Sequence, residues 1–97
     1  MTVKEMEKLF KKYDDDFLKF EEIENPTSRR PDLNAFLLLD TLVPGTSDIV
    51  SAAEHDEIYL EIDTEALAAV ISEDQILELT RCGIRFERQF DSLAMFV

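Results

Sequence analysis

One short stretch of the chain carries residue types that could do chemistry: Glu54-His55-Asp56-Glu57 places the only histidine among three carboxylates. Carboxylates bind hard cations, and a histidine beside them could act as a general base. Four successive residues cannot all converge on one point, however, whether the backbone is extended or helical. No second histidine and no loop with Ca²⁺-site spacing is present. We therefore expect no metal and no cofactor here, only a polar turn that leads into a strand.

The single cysteine, Cys82, could pair with His55 for nucleophilic catalysis. Its predicted position is a helix C-terminus, where the helix dipole disfavours a thiolate, whereas activated cysteines favour helix N-termini. The chain has only two glycines, which excludes Gly-rich phosphate loops and dinucleotide-binding fingerprints. We expect Cys82 to be a semi-buried packing residue, and the protein not to be an enzyme.

The most distinctive feature of the sequence is an acidic segment over residues 46–80, which has ten carboxylates and no lysine or arginine. It contributes −10 to the formal charge of −12. A field of that sign steers positively charged partners toward the protein. The segment predicts a surface that docks on a basic, nucleic-acid-binding surface of another protein, with nucleic-acid mimicry as a narrower hypothesis and an ordinary solvated face as the alternative. The predicted partner-binding residues are Glu54, Asp56, Glu57, Tyr59, Glu61, Asp63, Glu65, Glu73, Asp74 and Glu78.

Tyr59 is the expected centre of this surface. It lies between Glu57 and Glu61 on the outward side of the strand predicted there. An amphipathic aromatic residue ringed by charge is typical of the centre of a protein interface. The alternative is that Tyr59 only covers a neighbouring side chain on the sheet.

The net charge of the chain also limits the kinds of partner that we expect it to bind. Direct nucleic-acid binding requires lysines and arginines that neutralise phosphates, and the net charge here has the opposite sign. Anionic membrane surfaces are disfavoured for the same reason. The N-terminus lacks the apolar stretch of a signal peptide, and no apolar run approaches membrane-spanning length, so a cytoplasmic location is expected.

The elements that must position these residues begin with an amphipathic helix predicted over residues 2–24. Thr2 and Glu5 have capping-box spacing, while Asp14-Asp15-Asp16 is a weak point where a bend or an early end is plausible. The apolar stripe is expected to face the core, and the alternative is a homodimer seam. It consists of Val3, Met6, Phe10, Tyr13, Phe17 and Phe20.

The remaining pattern predicts a second helix from Pro31 to Leu42, a short helical turn over 46–53 and a strand over 57–63. A short helix capped by Asp63 or Thr64 then ends near Ile71. A capping box predicts a further helix over 72–82, and strands over 84–89 and 93–97 form a final hairpin. The sum is one α+β domain over residues 1–97, with two N-terminal helices followed by β-α-α-β-β. A small three-stranded sheet packs on the helices as a two-layer sandwich.

The run Asp32-Leu-Asn-Ala-Phe-Leu-Leu-Leu-Asp40 resembles the second helix of barstar-like ribonuclease inhibitors. That resemblance implies an inhibitor with an acidic α/β surface. It covers about ten residues, and most of them follow a general helix pattern. The predicted final hairpin departs from the parallel sheet of that family, so its binding residues are not transferred to this chain.

Overall fold

The computed structural model describes residues 1–97 as an α+β fold in which helices cover one face of an antiparallel sheet. The class predicted from the sequence is confirmed, but the sheet has four strands, in the order β1-β2-β4-β3, where three were predicted. The elements are α1 (Val3–Lys12), α2 (Pro31–Leu42), β1 (Val50–Glu54), β2 (Glu57–Leu60), α3 (Thr64–Val70), α4 (Glu73–Cys82), β3 (Ile84–Glu87) and β4 (Ser92–Phe96), with short 3₁₀ turns at Asp14–Asp16 and Phe20–Glu22.

The first helix is shorter than predicted. The capping box of Thr2 and Glu5 is present, but α1 ends at Lys12 and not at residue 24. Three successive aspartates follow Tyr13, and aspartate is a poor former of helix interiors because its side chain competes for nearby backbone groups. The chain continues from there as two 3₁₀ turns separated by Leu18, whose φ of 66° is left-handed.

The predicted helical turn over 46–53 is wrong, because residues 50–54 form strand β1. This strand is exposed along its whole length, so neither face carries the alternation of apolar residues that identifies a strand. A two-residue turn of His55 and Asp56 joins β1 to β2, with His55 at a φ of 57°. Such turns usually contain glycine or asparagine, and this one has neither. The hairpin therefore had no signature in the sequence.

The predicted strand over 57–63 ends early, at Leu60. The chain turns there because Asp63 is the N-cap of α3, where its side chain accepts hydrogen bonds from the backbone N–H groups of Glu65 and Ala66. The capping box of Ser72 and Gln75 starts α4 as predicted. Gly83 ends that helix at a φ of 100°, and a Cβ on this glycine would come within 2.8 Å of Leu18 Cδ2.

The core lies between the sheet and the helices. Each of three strands contributes a buried residue to this core: Leu60 from β2, Ile84 from β3 and Leu93 from β4. They belong to the same core cluster as Met6 and Phe10 of α1. Met6 and Phe10 of the predicted apolar stripe are therefore core residues, and Val3, Tyr13 and Phe20 of the same stripe are partly buried against the core. The opposite face of the sheet carries no helix, and we call it the open face.

The sheet is antiparallel throughout, unlike the parallel sheet of the barstar-like inhibitors. Helix α2 has the predicted bounds, Pro31 to Leu42. No helix of the chain combines the length and the apolar character needed to cross a membrane.

Candidate functional site

A groove of about 400 Å³ lies on the open face beside strand β1. The register pairs Ala52 with Tyr59, which places these two residues on the same face, and the methyl group of Ala52 leaves the tyrosine ring uncovered on that side. We call this groove the acidic groove, and its lining residues are Ser51, Ala52, Glu54, Tyr59, Leu60, Glu61, Ile62, Phe90 and Ser92.

Two aromatic rings form the centre of the acidic groove. The ring of Phe90 meets that of Tyr59 edge to face, with centroids 5.3 Å apart and an interplanar angle of 76°. Phe90 is 56% exposed, which is unusual for a residue of its size and hydrophobicity. The Tyr59 hydroxyl donates a hydrogen bond to Glu57 Oε2 at 3.2 Å, which restrains the ring. The pair offers an apolar surface that is accessible to solvent.

The carboxylates of Glu54 and Glu61 line the same groove, and neither is neutralised by a lysine or arginine. The one ion-pair contact of Glu54 is with the adjacent His55, whose Nε2 lies 3.9 Å from Oε1 and which is charged only when it is protonated. The side chain of Glu61 forms no salt bridge. The Ser92 hydroxyl, which also lines the groove, is buried without a hydrogen-bond partner. An incoming cation with hydrogen-bond donors would therefore find the accessible carboxylates of Glu54 and Glu61 beside the rings of Tyr59 and Phe90.

Glu57, a predicted site residue on the same face, is neutralised by Arg85. The guanidinium of Arg85 contacts the carboxylates of both Glu57 and Glu87, and it stacks over the ring of Phe96 with Cζ 4.8 Å from the ring centroid. The hydrogen bond from Arg85 also lowers the pKa of Glu87. The open face thus has a neutralised half around Arg85 and an acidic half around Glu54 and Glu61.

Two of the predicted carboxylates on the helical layer serve the fold. Asp63 caps α3, as described above. Glu78 accepts a hydrogen bond at 2.9 Å from Nδ2 of Asn34, a buried residue of α2 whose Oδ1 accepts from the backbone N–H of Ser28. This network ties α2 to α4, because an amide buried in a core requires partners for its donors and acceptor.

Glu73 lies at the surface and interacts with two residues at the end of α1, Lys12 and Tyr13. It accepts a short hydrogen bond from the Tyr13 hydroxyl and lies 3.5 Å from Lys12 Nζ. Both interactions favour the carboxylate form and lower the pKa of Glu73, the Tyr13 hydrogen bond more strongly. Its charge is therefore shared with a lysine and contributes less to an outward field.

The predicted site residues consequently fall into separate groups. Three of them, Glu54, Tyr59 and Glu61, line the acidic groove. Asp56 is exposed in the turn at the end of the β1–β2 hairpin, while Glu65 and Asp74 are exposed in the first turns of α3 and α4. The others are Glu57, Asp63, Glu73 and Glu78, which are engaged as described.

Sequence reasoning did not find Phe90, Ser92 or, on β1, Ser51 and Ala52. A signal for Phe90 was present, because a large aromatic residue inside a predicted turn is placed where side chains are exposed. No comparable signal marked Ser51 or Ala52, since their role follows from the unpredicted hairpin.

The residues first considered for chemistry do not form a site. His55 is exposed at the tip of the hairpin, and no group of three or more histidine, cysteine or acidic side chains is placed to hold a metal ion. Cys82 is buried, its Sγ accepts from Asn34 Nδ2 at 3.4 Å, and burial raises the pKa of its thiol. The thiolate needed for nucleophilic attack is therefore disfavoured at this position.

No protein-family model matches the chain, and no curated protein or solved structure shows significant similarity to it. The fold and the acidic groove are thus the features from which a function can be inferred.

Proposed function

We propose that this protein is a non-catalytic module that binds a basic surface of another protein through its acidic groove. The observation that carries this proposal is the combination, in one groove, of the unneutralised carboxylates of Glu54 and Glu61 with the exposed rings of Tyr59 and Phe90. A lysine or arginine that enters the groove pairs with a carboxylate and lies against an aromatic ring.

The charge and the aromatic residues have different roles in this proposal. The net charge of −12 accelerates encounter with a cationic surface, and the effect decreases as salt screens it. The buried contact of Tyr59 and Phe90 with the partner then slows dissociation, because aromatic anchors carry much of the binding energy of protein interfaces.

Nucleic-acid-binding proteins are the partners that fit this chemistry best, since they must keep a basic surface exposed to bind phosphates. A protein that occupies such a surface blocks it, so the proposed role is that of an inhibitor or antagonist. Imitation of a nucleic-acid backbone is not part of the proposal. It requires a row of free carboxylates, whereas Glu57 is paired with Arg85 and Asp63 caps a helix.

The alternative proposal, a subunit that homodimerises through the first helix, has less support. Met6 and Phe10 at the middle of the stripe are buried in the core of the same chain. A second copy could reach them only if the chain rearranged.

The test uses two variants with the same change in net charge. Glu54→Lys/Glu61→Lys reverses the charge of the acidic groove, and Glu21→Lys/Glu24→Lys reverses two exposed carboxylates elsewhere. Each variant and the wild type are immobilised, and proteins are captured from a lysate over a salt series. The proposal predicts that the wild type and the Glu21/Glu24 variant enrich basic proteins at low salt, while the Glu54/Glu61 variant does not. Equal capture by both variants would contradict it.

A further inference from the structure

We propose that the partner segment binds as an added β-strand along the free edge of β1, with alternating basic and apolar side chains. This inference rests on the proposed function and specifies how the partner is held. It starts from the position of β1, which pairs with β2 on one side and has no neighbour on the other. All five of its residues are exposed.

The backbone of this edge is available for hydrogen bonding. Glu54 and Glu57 flank the two-residue turn and exchange hydrogen bonds with each other, so the next pair, Ala53 and Ile58, does not. The N–H and C=O of Ala53 therefore point away from β2. An extended segment on that side can pair with both groups, as in other cases of strand addition to a sheet edge.

Edge strands usually carry features that prevent such pairing, and β1 has few of them. Lysine and proline are the residues that most often protect an edge, and both are absent from Val50–Glu54. The side chains of Ser51, Ala52 and Ala53 are small, so another backbone can approach closely. The protective features that remain are its length of five residues, the charge of Glu54 and an irregularity in the register between Val50 and Ala52, which leaves the Ala53 end regular.

The two faces beside this edge select different side chains. A partner residue that pairs with Ala53 projects to the same face as Ala53 and Val50. An apolar groove lies on that side, and its lining includes Val50, Ile58 and Phe36. The partner residues before and after it project to the open face, where Glu54 and Tyr59 lie in the acidic groove.

The structure therefore favours a partner segment in which basic residues flank an apolar one. Charge also argues against a second copy of this chain as the occupant, because two copies would bring together acidic segments with no lysine or arginine in residues 46–80. The occupant that complements the edge is an extended Lys/Arg-containing segment of another protein.

The probe is the peptide acetyl-Gly-Lys-Val-Lys-Val-Lys-Gly-amide, compared with two N-methylated forms. In the proposed geometry the valine N–H groups face β1 and the lysine N–H groups face solvent. Methylation of the valine nitrogens should weaken binding roughly tenfold, the effect of about one lost hydrogen bond, and methylation of the lysine nitrogens should leave it unchanged. Peptide binding should also slow hydrogen exchange of the Ala53 amide.

The variant Ala53→Pro removes the outward N–H without removing a hydrogen bond to β2, so the fold is retained. It should weaken peptide binding to the same extent as valine methylation. Equal affinity of the two methylated peptides, together with an unprotected Ala53 amide, would overturn strand addition.

A separate binding measurement, with a folded basic protein, tests the proposed function independently of strand addition. Binding of a folded basic protein, lysozyme, should be weakened by Glu54→Lys/Glu61→Lys and left intact by the control Glu21→Lys/Glu24→Lys, whose two carboxylates are exposed away from the acidic groove. If lysozyme binds the Glu54/Glu61 variant as well as the wild type, the proposed function fails. If the lysozyme result holds but the peptides show no preference, strand addition alone is wrong.

Discussion

The two edges of the sheet are built in opposite ways. At the β3 edge, Ile84 is fully buried, the ring of Phe86 lies 6.4 Å from that of Phe10 in α1, and Arg85 neutralises two carboxylates. At the β1 edge, every residue is exposed, and the carboxylates of Glu54 and Glu61 have no lysine or arginine partner. One edge is integrated into the fold, and the other is held only by its hairpin. The β3 side of the sheet is therefore packed and neutralised, whereas the β1 side, where we propose that the partner binds, contributes little to the core.

The largest expected difference between the edges is in core packing. Ile84→Ala should lower the free energy of unfolding by about 3 kcal/mol, because it removes fully buried methyl groups and leaves a cavity. Val50→Ala should lower it by less than about 1 kcal/mol, since Val50 is 38% exposed in β1. Urea unfolding of the two variants measures both values. Similar losses would mean that β1 is as much a part of the cooperative fold as β3.

A smaller effect is expected from the ion pairs. Arg85→Gln leaves the half-buried carboxylates of Glu57 and Glu87 without their shared cation, and should cost about 1 to 2 kcal/mol. Arg88→Gln serves as the control, because Arg88 is exposed and its 3.9 Å pair with Glu7 is worth less than about 0.5 kcal/mol. The distinction between a neutralised and an acidic half of the open face fails if the two variants lose the same stability.

The neutralised half should also show a dependence on pH. The pKa of Glu87 is lowered in the folded state by its hydrogen bond to Arg85, so its contribution to stability is present above the unfolded value of about 4.5 and is lost as the pH falls below it. Glu87→Gln lacks this contribution. The stability difference between wild type and variant should therefore shrink from pH 6 to pH 3. A difference that stays constant over this range would contradict the Arg85–Glu87 interaction.

The smallest effect concerns the turns of the two hairpins. His55 in the β1–β2 turn and Asp91 before β4 both have positive φ, at 57° and 49°. Replacement of either by glycine relieves a left-handed conformation that side chains disfavour, and should stabilise the protein by roughly 0.5 kcal/mol after the entropy of the unfolded glycine is included. Thermal unfolding of the His55→Gly and Asp91→Gly variants measures both changes in stability. Destabilisation by His55→Gly would show that its side chain supports the hairpin.

Much of the fold was predictable because its signals are local. The capping boxes at Thr2 and Ser72, the proline that starts α2 and the glycine that ends α4 each satisfy helix-terminal backbone groups through neighbouring residues. The start of β2 was found because Ile58 and Leu60 alternate with polar residues. These patterns need no knowledge of the rest of the chain.

Strand β1 could not be predicted, because what makes it a strand is its partner. Residues 50–54 have neither an apolar face nor a glycine-containing turn, so only the pairing with β2 identifies them. For the same reason, only part of the candidate site could be predicted from the sequence. The sequence identified Glu54, Tyr59 and Glu61 by type and spacing, but it could not show that Arg85 pairs with Glu57 across β4, because that requires the strand order.

We propose that the partner binds the acidic groove, and that the overall negative charge alone does not account for binding. A titration of the protein with a tetralysine amide peptide, in which NMR follows every backbone amide, distinguishes the two. We expect saturable shifts at Ala52, Glu54, Tyr59, Glu61 and Phe90, with little change at Glu65 and Asp74, whose carboxylates are exposed outside the groove. Shifts distributed evenly over all exposed carboxylates would contradict this proposal.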